Sequence, residues 1–361
     1  MQNKIKIVFI IYNILYIYYI YYMKDIIIIG SGWYGLHTAL LLQDKYNVTI
    51  LEKNTVILNN SSFFNQNRLH LGYHYPRSDS TRKMCRDNYL KFIKKYREVV
   101  DFIDGNYYCI SKNSLIDYPT FLQIYNTSTY HHTIIPNDFL KNIEGEFINT
   151  QEKIINSEKV KTFFNHKMKC DIKLNYNVTS LKQENNKVII NDDIIGDFVF
   201  DCTFNQLELS KNAYIYELTI SFIYERINFQ KKFDSITVMD GLFFSLFPRD
   251  ISKEQYTVTH VKHTPLIKTN NYKEIQNYKI TNKQVNKIKK LMIDDIEKYY
   301  TDFNNDFKYL SYFTSYKCKP ISCNDNRDCN IEKNGNILSV NCGKITGIFE
   351  LEDYIKNVLN F

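Results

Sequence analysis

Three glycines and one carboxylate have the residue types and spacing to bind a ligand that contains a pyrophosphate. Residues 30–35 (GSGWYG) place Gly30, Gly32 and Gly35 in a Gly-x-Gly-x-x-Gly motif, and Glu52 follows about 20 residues later. The first glycine of such a motif makes a tight turn, the second admits the phosphates, and the third lets a helix pack closely. The acid then lies where it can accept hydrogen bonds from ribose hydroxyls. The neighbouring residues that we place in the same predicted site are Ser31, Trp33, Tyr34 and Lys53.

The elements around this motif occur in the order that a dinucleotide-binding unit requires. Residues 25–29 (DIIII) are a β-branched run typical of a strand buried on both faces of a parallel sheet. Residues 36–46 predict a helix whose N-terminus attracts an anion, and residues 47–52 predict a second strand that ends in the acid. The acid favours an unphosphorylated ribose, so the motif indicates FAD or NAD rather than NADP. It does not distinguish FAD from NAD.

The next segment, residues 65–78 (NQNRLHLGYHYPRS), is a polar loop where an NAD-only domain would continue with another regular strand and helix. Asn67 and Arg68 can donate hydrogen bonds to anionic or carbonyl oxygens. His70 and His74 have two interpretations of equal weight, which are contact with cofactor or substrate and hydrogen-bonded packing within an ordered loop. We include Asn67, Arg68 and His70 among the predicted cofactor-binding residues.

From about Met23 to Phe361 the sequence resembles the FAD-dependent oxidoreductases of the D-amino-acid oxidase and glycine oxidase (DAO) superfamily. The resemblance is carried by residues 65–78, by residues 197–206 (DFVFDCTFNQ) and by residues 335–355 (GNILSVNCGKITGIFELEDYI). It implies FAD as the cofactor. It also implies an α/β fold, in which a Rossmann-like FAD/NAD(P)-binding domain of discontinuous segments carries an inserted antiparallel α+β substrate domain.

The same resemblance implies further cofactor contacts. Val178, in a segment 177–181 that we interpret as a strand, matches the position that contacts adenine through its backbone. Thr203 ends a predicted strand over 197–203 and matches the position at which the family's chain crosses near the pyrophosphate. The match is loose, because Phe204 and Asn205 replace the family's small glycine pair. A strand, a glycine and a helix near the carboxyl end would direct N–H groups at the flavin pyrimidine edge. The residues that we place there are Gly343, Lys344, Ile345 and Thr346.

The substrate side is predicted from residues 216–224, 235–247 and 256–262, which suit strands of an antiparallel sheet. Arg327 matches the approximate place of the family's carboxylate-binding arginine, and Arg249 and Arg68 compete with it for this role. Cys318 has the position along the chain of a covalent flavin attachment, and the alternative is a buried free thiol.

The order of the motifs predicts an interleaved domain organisation, since no Pro/Gly-rich linker interrupts the chain. The predicted FAD-binding domain comprises residues 23–80, 150–210 and 320–361, and the predicted substrate domain comprises residues 81–149 and 211–319. Residues 1–22 are expected to lie outside both domains.

The first residues allow two interpretations. Residues 7–23 are apolar and follow two lysines, so they could form a signal anchor. The simpler interpretation is that Met23 is the natural start, because only two residues separate this segment from the predicted buried strand. We therefore expect a cytoplasmic protein. A protein anchored in the membrane through residues 7–23 is the alternative, and membrane contact is expected only if residues 1–22 are a real anchor.

Composition excludes several other classes. The formal net charge is +7, but lysines and acids alternate along the chain without a compact basic block, so we expect no nucleic-acid partner. The 30 tyrosines and 24 phenylalanines are interpreted as genome bias. None of the eight cysteines forms a Cys-x-x-Cys pair or has histidine partners at zinc-finger spacing, so we predict reduced thiols and no metal.

Together these features predict an enzyme, a FAD-dependent oxidoreductase whose partner is a small-molecule substrate. The expected reaction is hydride transfer from a small amine or amino-acid-like substrate to flavin N5, with reoxidation by oxygen or another acceptor. The alternatives are a FAD enzyme that acts on a sugar or hydroxy acid, and a flavin-binding protein without turnover. A reductase anchored in the membrane is a further option if the apolar extension is real.

Overall fold

The computed structural model describes residues 23–127, 129–321, 327 and 329–359. The chain divides into two compact units, each assembled from discontinuous segments. Among the described residues, unit 1 comprises those within 23–57, 167–207 and 331–340, and unit 2 comprises those within 58–166, 208–330 and 341–359. The predicted domain boundaries stay a prediction, and the apolar segment 7–23 lies outside the described residues except for Met23.

The elements are numbered in chain order. The strands are β1 (Asp25–Ile29), β2 (Asn47–Leu51), β3 (Arg68–Leu69), β4 (Val100–Asp101), β5 (Asn106–Ser111), β6 (His132–Ile135), β7 (Ile143–Thr150), β8 (Lys153–Ile155), β9 (Asp171–Lys173), β10 (Leu181–Glu184), β11 (Lys187–Ile190), β12 (Ile194–Gly196), β13 (Phe198–Asp201), β14 (Tyr214–Arg226), β15 (Ser235–Met239), β16 (Phe244–Asp250), β17 (Gln255–His260), β18 (Pro265–Thr269), β19 (Phe307–Pro320), β20 (Asn330–Asn334) and β21 (Ile337–Asn341). The helices are α1 (Trp33–Leu42), α2 (Asp79–Tyr96), α3 (Tyr118–Tyr125), α4 (Ser157–Lys167), α5 (Tyr272–Asn277), α6 (Asn282–Ile296), α7 (Phe303–Asp306) and α8 (Ile348–Val358).

Unit 1 is built on a six-stranded sheet with the strand order β20-β21-β13-β1-β2-β9. β1 pairs in parallel with β2 on one side and with β13 on the other, and β13 pairs in parallel with β21. The predicted strand over 25–29 is therefore confirmed at the centre of a parallel sheet, where both faces of its isoleucines are covered. An antiparallel sheet, β10-β11-β12, contributes Val188 and Ile190 to the same core.

Unit 2 is built on a nine-stranded sheet with the order β18-β14-β17-β16-β15-β5-β7-β6, and β19 pairs with β14. The two faces of this sheet differ in chemistry, because side chains alternate along each strand. On β14, Ile220 and Phe222 face an apolar core that also holds Met292 and Ile296 of α6. The opposite face carries buried polar side chains, which we call the polar face of the sheet: Glu217, Thr219, Ser221, Thr237, Ser245, Thr257 and Ser315.

One predicted strand of this sheet is wrong. Residues 235–247 do not form a single strand, because the chain reverses after Met239 and returns as β16, antiparallel to β15. Gly241 adopts a φ of +149°, which side-chain-bearing residues rarely adopt, so this glycine permits the reversal. The apolar residues on both sides gave a continuous pattern that concealed the turn.

The predicted α/β class, with a parallel sheet and a separate antiparallel sheet, is confirmed. Across the described part of the chain, every helix is too short or too polar to span a lipid bilayer.

Candidate functional site

The glycine turn of unit 1 has the geometry that the motif predicts. Gly30 has a φ of +97°, and a Cβ at this residue would lie 2.9 Å from the Cys202 carbonyl oxygen. A Cβ at Gly35 would lie 1.9 Å from the Gly30 carbonyl oxygen, so no side chain fits where α1 passes β1. Gly32 occupies the cap position of α1, where no side chain caps the helix, and the first turn contains no acid. The positive end of α1 is therefore suited to a bound anion.

Glu52 lies directly after β2 and joins it to the glycine turn. Its Oε2 atom accepts hydrogen bonds from the Ser31 backbone N–H (2.9 Å) and the Ser31 hydroxyl (2.6 Å). Its Oε1 atom accepts from the Asn54 backbone N–H (2.8 Å) and the Asn54 side-chain amide (2.6 Å). A carboxylate has about four lone-pair positions, so a ribose hydroxyl has to displace or share one of these donors. The sequence pattern predicted the acid but not these internal bonds.

The neighbours of the glycine turn have separate environments. Trp33 is buried and Tyr34 is half-buried, and the Tyr34 carbonyl accepts a hydrogen bond from the Thr38 hydroxyl (2.8 Å). The Lys53 ammonium donates to the Gln206 side chain (2.6 Å), so it is directed toward the segment that follows β13.

Val178 is buried in the apolar core of unit 1, but its segment is irregular. The predicted strand over 177–181 is wrong, because β10 begins only at Leu181. The Asn191 side chain replaces the strand pairing: its Oδ1 atom accepts from the Thr179 backbone N–H (2.8 Å), and its Nδ2 atom donates to the Asn177 carbonyl (2.9 Å). A loop held in this way can present backbone groups to a ligand, which a paired strand cannot.

Thr203 lies two residues beyond the end of β13, so the predicted strand over 197–203 is shorter than expected. Its hydroxyl donates to the buried Asp201 carboxylate (2.6 Å). Phe204 and Asn205 adopt φ values of +63° and +59°. These two residues thus adopt the left-handed backbone conformation that a pair of glycines would adopt at little cost in free energy.

In unit 2, Arg68 lies buried against the polar face of the sheet. Its guanidinium donates to the Tyr108 hydroxyl (2.8 Å), the Thr237 hydroxyl (2.7 Å) and the Ser245 hydroxyl (3.0 Å). It also stacks over the Phe247 ring at 4.1 Å. The adjacent Asn67 is buried and donates through its side chain to the Ser157 hydroxyl. These contacts anchor the 65–75 loop to the sheet.

Glu152, which no sequence motif singles out, is the centre of this region. It has no exposed surface, and it accepts hydrogen bonds from the Leu71 backbone N–H (2.7 Å) and the Tyr108 hydroxyl (2.6 Å). Arg68 Nη1 and His70 Nδ1 each lie 3.6 Å from the carboxylate. Burial raises the pKa of Glu152, but the neighbouring His70 and Arg68 and the Tyr108 hydroxyl outweigh burial and lower it. Glu152 is therefore ionised at neutral pH.

His70, which lies beside this carboxylate, is itself close to a second histidine and to a lysine. The ring centroids of His70 and His74 are 5.5 Å apart, and the Lys344 ammonium lies 4.3 Å from the centroid of the Tyr75 ring. Burial, and then the charge of Lys344, lower the pKa of His70 to about 4, and burial also lowers the pKa of His74. Burial and the charge of Arg68 lower the pKa of Lys344 to about 7. Both imidazoles are therefore neutral near pH 7.

The carboxyl-terminal part of the predicted site places Arg327 beside Gly343. A Cβ at Gly343 would lie 3.2 Å from the Arg327 Cδ, so the arginine side chain packs over the turn that precedes α8. The first turn there is a 3-10 turn over Ile345–Gly347, with Ile345 half-buried and Thr346 buried, and α8 begins only at Ile348. The structure thus brings the predicted substrate arginine to the predicted flavin-facing turn.

A basic cluster lies on β14, β18 and β19. Glu217 Oε2 is 2.7 Å from the Lys319 ammonium, and its Oε1 is 3.3 Å from the Lys268 ammonium. Lys317 pairs with Glu217 across the two strands and points to the same face. Although Lys317 keeps an exposed surface, burial, and then the charges of Lys319 and Arg327, lower its pKa to about 8. Its ammonium therefore lies in a recess that water reaches and protein surrounds.

Cys318, between the two lysines, is buried, and its sulfur accepts a hydrogen bond from the Asn341 amide (3.3 Å). The seven cysteines that the structure describes lie outside disulfides, and their reduced state stays a prediction. Arg249, the other predicted competitor for a substrate carboxylate, stacks on Phe313 at 4.9 Å.

Within the described ranges, His260, His263 and Asp295 are close enough together to consider a shared metal. However, the His260 Nδ1 atom accepts from the Lys262 backbone N–H (3.2 Å), whereas a metal-ligating histidine usually donates through its second nitrogen. Asp295 also binds the Lys298 ammonium and lies 2.7 Å from His263 Nε2. We therefore describe these residues as an ion-pair network.

Comparison with known proteins identifies the family. The model of the DAO family, FAD dependent oxidoreductase, matches residues 25–115. The FAD-dependent monooxygenase FPY4 from Fusarium mangiferae is 30% identical over 339 residues, which cover 92% of this chain and 90% of that protein. The chain belongs to the DAO family of FAD-dependent oxidoreductases. FAD is therefore the cofactor of this DAO-family enzyme, as the sequence predicted, and the uncapped helix start and glycine turn of unit 1 fit its pyrophosphate.

Solved structures of the same fold extend over nearly the whole DAO-family chain. Glycine oxidase from Geobacillus kaustophilus aligns with a TM-score of 0.67 and 10% identity, covering 90% of each chain. The dithionite-reduced L-alpha-glycerophosphate oxidase from Mycoplasma pneumoniae, with FAD bound, aligns with a TM-score of 0.68 and 13% identity, covering 94% of this chain and 95% of that one. The predicted α/β fold, with parallel and antiparallel sheets in the DAO-like FAD-binding arrangement, is confirmed.

Proposed function

We propose that this enzyme oxidises a small amine or amino-acid-like substrate that carries an anionic group. Bound FAD supplies the hydride acceptor, and the chain supplies binding, orientation and control of protons. The observation that carries the proposal is the basic recess of unit 2, where Lys317 and Arg327 lie close enough for Arg327 to lower the pKa of the lysine.

The charges in this recess favour an anionic ligand. Glu217 is already bound by Lys319 and Lys268. Among the residues that the structure describes, no carboxylate lies within 4.0 Å of the Lys317 ammonium. A substrate carboxylate would supply the missing negative charge, and charge-assisted hydrogen bonds to it are strong. Oxidation of an amine then depends mainly on the orientation of the substrate.

A second candidate function is oxidation of a hydroxy acid or sugar, favoured by the two neutral imidazoles. Removal of a hydroxyl proton requires a base, and an unprotonated histidine can act as one. His70 and His74 are both held neutral beside Lys344. The Mycoplasma enzyme of the same fold is named as an oxidase of an alcohol, L-alpha-glycerophosphate.

The test uses protein that starts at Met23 and contains bound FAD. Under anaerobic conditions, loss of the visible flavin absorbance is measured with D- and L-alanine, lactate, ethylamine and glucose. Bleaching by alanine but not by ethylamine supports the amino-acid-like substrate, whereas bleaching by lactate or glucose alone supports the second candidate. Bleaching by none of them moves the assignment to flavin binding without turnover.

A matched pair of variants tests the recess. Lys317→Met is expected to reduce the rate of bleaching at limiting anionic substrate by about 10- to 100-fold, the usual effect of removing a hydrogen bond to a charged group. Lys308→Met, an exposed lysine on the same strand, is the control and is expected to react like the wild type. Equal rates for both variants would contradict the role of Lys317. Because the relative from Fusarium is named as a monooxygenase, products formed under ¹⁸O₂ are also analysed for incorporated oxygen.

A further inference from the structure

We infer that Glu152 is a positioning residue for His70, holding the neutral imidazole with its proton on Nδ1 and its Nε2 lone pair available to accept a proton. Glu152 thereby sets the base strength of His70 in the second candidate reaction, oxidation of a hydroxy acid or sugar, and the catalytic part of this role rests on that candidate function. The tautomer itself is a property of the folded protein and can be measured without a substrate.

The position of Glu152 in the fold makes its carboxylate rigid. The residue lies between β7 and β8, and β8 pairs with β3, which begins the histidine-bearing loop. Its Oε1 atom accepts from the backbone N–H groups of Leu71 (2.7 Å) and Gly72 (3.3 Å), and its Oε2 atom accepts from the Tyr108 hydroxyl (2.6 Å). The Tyr108 hydroxyl is in turn a hydrogen-bond acceptor for Arg68 (2.8 Å). These bonds fix both oxygens relative to the loop.

The carboxylate imposes one tautomer on the neighbouring ring. His70 Nδ1 is buried and lies 3.6 Å from Glu152 Oε1, beyond hydrogen-bond distance, so the carboxylate acts on it through its charge. An ionised carboxylate can only accept hydrogen bonds. An unprotonated Nδ1 would place a lone pair against this negative charge, whereas Nδ1–H points a donor at it. A neutral imidazole carries a single N–H, so Nε2 is left as the acceptor.

The other groups around His70 keep the ring neutral instead of doubly protonated. The positive charges of Lys344 and Arg68 both lower the pKa of His70, against the effect of Glu152, which raises it. The remaining ring neighbours are His74 and Tyr75, each with a centroid 5.5 Å from that of His70. A carboxylate on one side and cations nearby therefore give a neutral, oriented imidazole.

The experiment measures the tautomer by NMR in the FAD-loaded protein with ¹⁵N-labelled histidine. Long-range ¹H–¹⁵N correlations distinguish Nδ1–H from Nε2–H rings, and a His70→Gln variant assigns the signal. The expected wild-type pattern is Nδ1–H, and in Glu152→Gln the pattern is expected to change toward Nε2–H. Glu217→Gln is the matched control, because this second buried glutamate of unit 2 binds lysines, and it should leave the His70 signal unchanged.

An Nε2–H pattern in the wild type would overturn the assignment, and this outcome does not depend on the folding of any Glu152 variant. An unchanged Nδ1–H pattern in a folded Glu152→Gln protein that retains flavin would overturn it as well. With a substrate that bleaches the flavin, the acid limb of kcat/KM should move to lower pH in Glu152→Gln, since the raising effect of the carboxylate on His70 is lost. An unmoved limb would refute the catalytic part alone. If no substrate bleaches the flavin, the proposed function fails while the tautomer still decides the role of Glu152.

Discussion

Replacement of Glu52 by alanine is the most informative single perturbation of unit 1, because this carboxylate has a structural role and a predicted cofactor role. In the structure it accepts four hydrogen bonds, two from Ser31 and two from Asn54. Truncation removes both acceptor oxygens and therefore all four hydrogen bonds. We expect lower stability and weaker FAD binding, in separable amounts.

The magnitude follows from the burial of the donors. Ser31 is fully buried, so its N–H and hydroxyl groups would lose their acceptor without gaining water, at a cost of about 1–3 kcal/mol each. Asn54 is only half-buried and can bind water, so its share is smaller. The expected loss of unfolding free energy is therefore about 2–6 kcal/mol. Loss of a charge-assisted bond to ribose would add an affinity decrease of about 10- to 100-fold.

Urea unfolding of the FAD-free protein measures the first effect, and titration of the folded protein with FAD measures the second. Glu52→Gln is the matched control, because it keeps the shape and one acceptor oxygen and should fall between alanine and the wild type. Unchanged urea stability of Glu52→Ala would refute the hydrogen-bond reasoning. Reduced stability with unchanged FAD affinity would refute the ribose role and leave the structural one.

Three further predictions concern other parts of the chain. Gly35→Ala should yield colourless protein with a lower Tm, since its Cβ would lie 1.9 Å from the Gly30 carbonyl oxygen; a yellow variant of wild-type Tm would contradict this. The pKa of Lys344 is lowered from an ordinary 10.5 to about 7, so between these pH values the unfolded chain binds more protons than the folded chain. The free energy of unfolding of the wild type, measured in urea, should therefore rise from pH 7 to pH 10 relative to that of Lys344→Met. A difference between the two proteins that stays constant with pH would exclude the pKa shift. Arg68→Lys should lose about 2–4 kcal/mol of unfolding free energy in urea, because lysine cannot reproduce the hydrogen bonds of the buried guanidinium. Half-buried Arg86, which pairs with Asp87, is the control, and Arg86→Lys should change little; equal losses would count against the buried role of Arg68.

The glycine turn could be predicted because its requirements are local. Gly30 and Gly35 are needed where a strand, a turn and a helix meet within a few residues, and the β-branched run before them reports burial on both faces. Glu52 follows from the same short unit. For these residues, chain order is nearly equivalent to proximity in space.

Other features could not be predicted, because their partners are distant in sequence. Tyr108 and Glu152 meet Arg68 only after β5, β8 and β3 assemble, and neither Tyr108 nor Glu152 lies in a recognisable motif. The two strands within residues 235–247 were merged in the prediction, because a turn at one glycine leaves the apolar pattern almost unbroken. Only a longer-range signal, such as the pairing of polar positions across strands, could have indicated the polar face of the sheet.

Short segments of the chain were enough to predict the dinucleotide-binding unit, the parallel strand at its centre and, through the DAO resemblance, FAD as the cofactor. Those features depend on backbone conformations and burial patterns that a few adjacent residues specify. Tertiary structure decided which charges are buried together: Glu152 with Arg68 and His70, and Glu217 with its lysines. The pKa of a buried group depends on the whole set of charges and dipoles that folding places around it, so no local pattern could specify it.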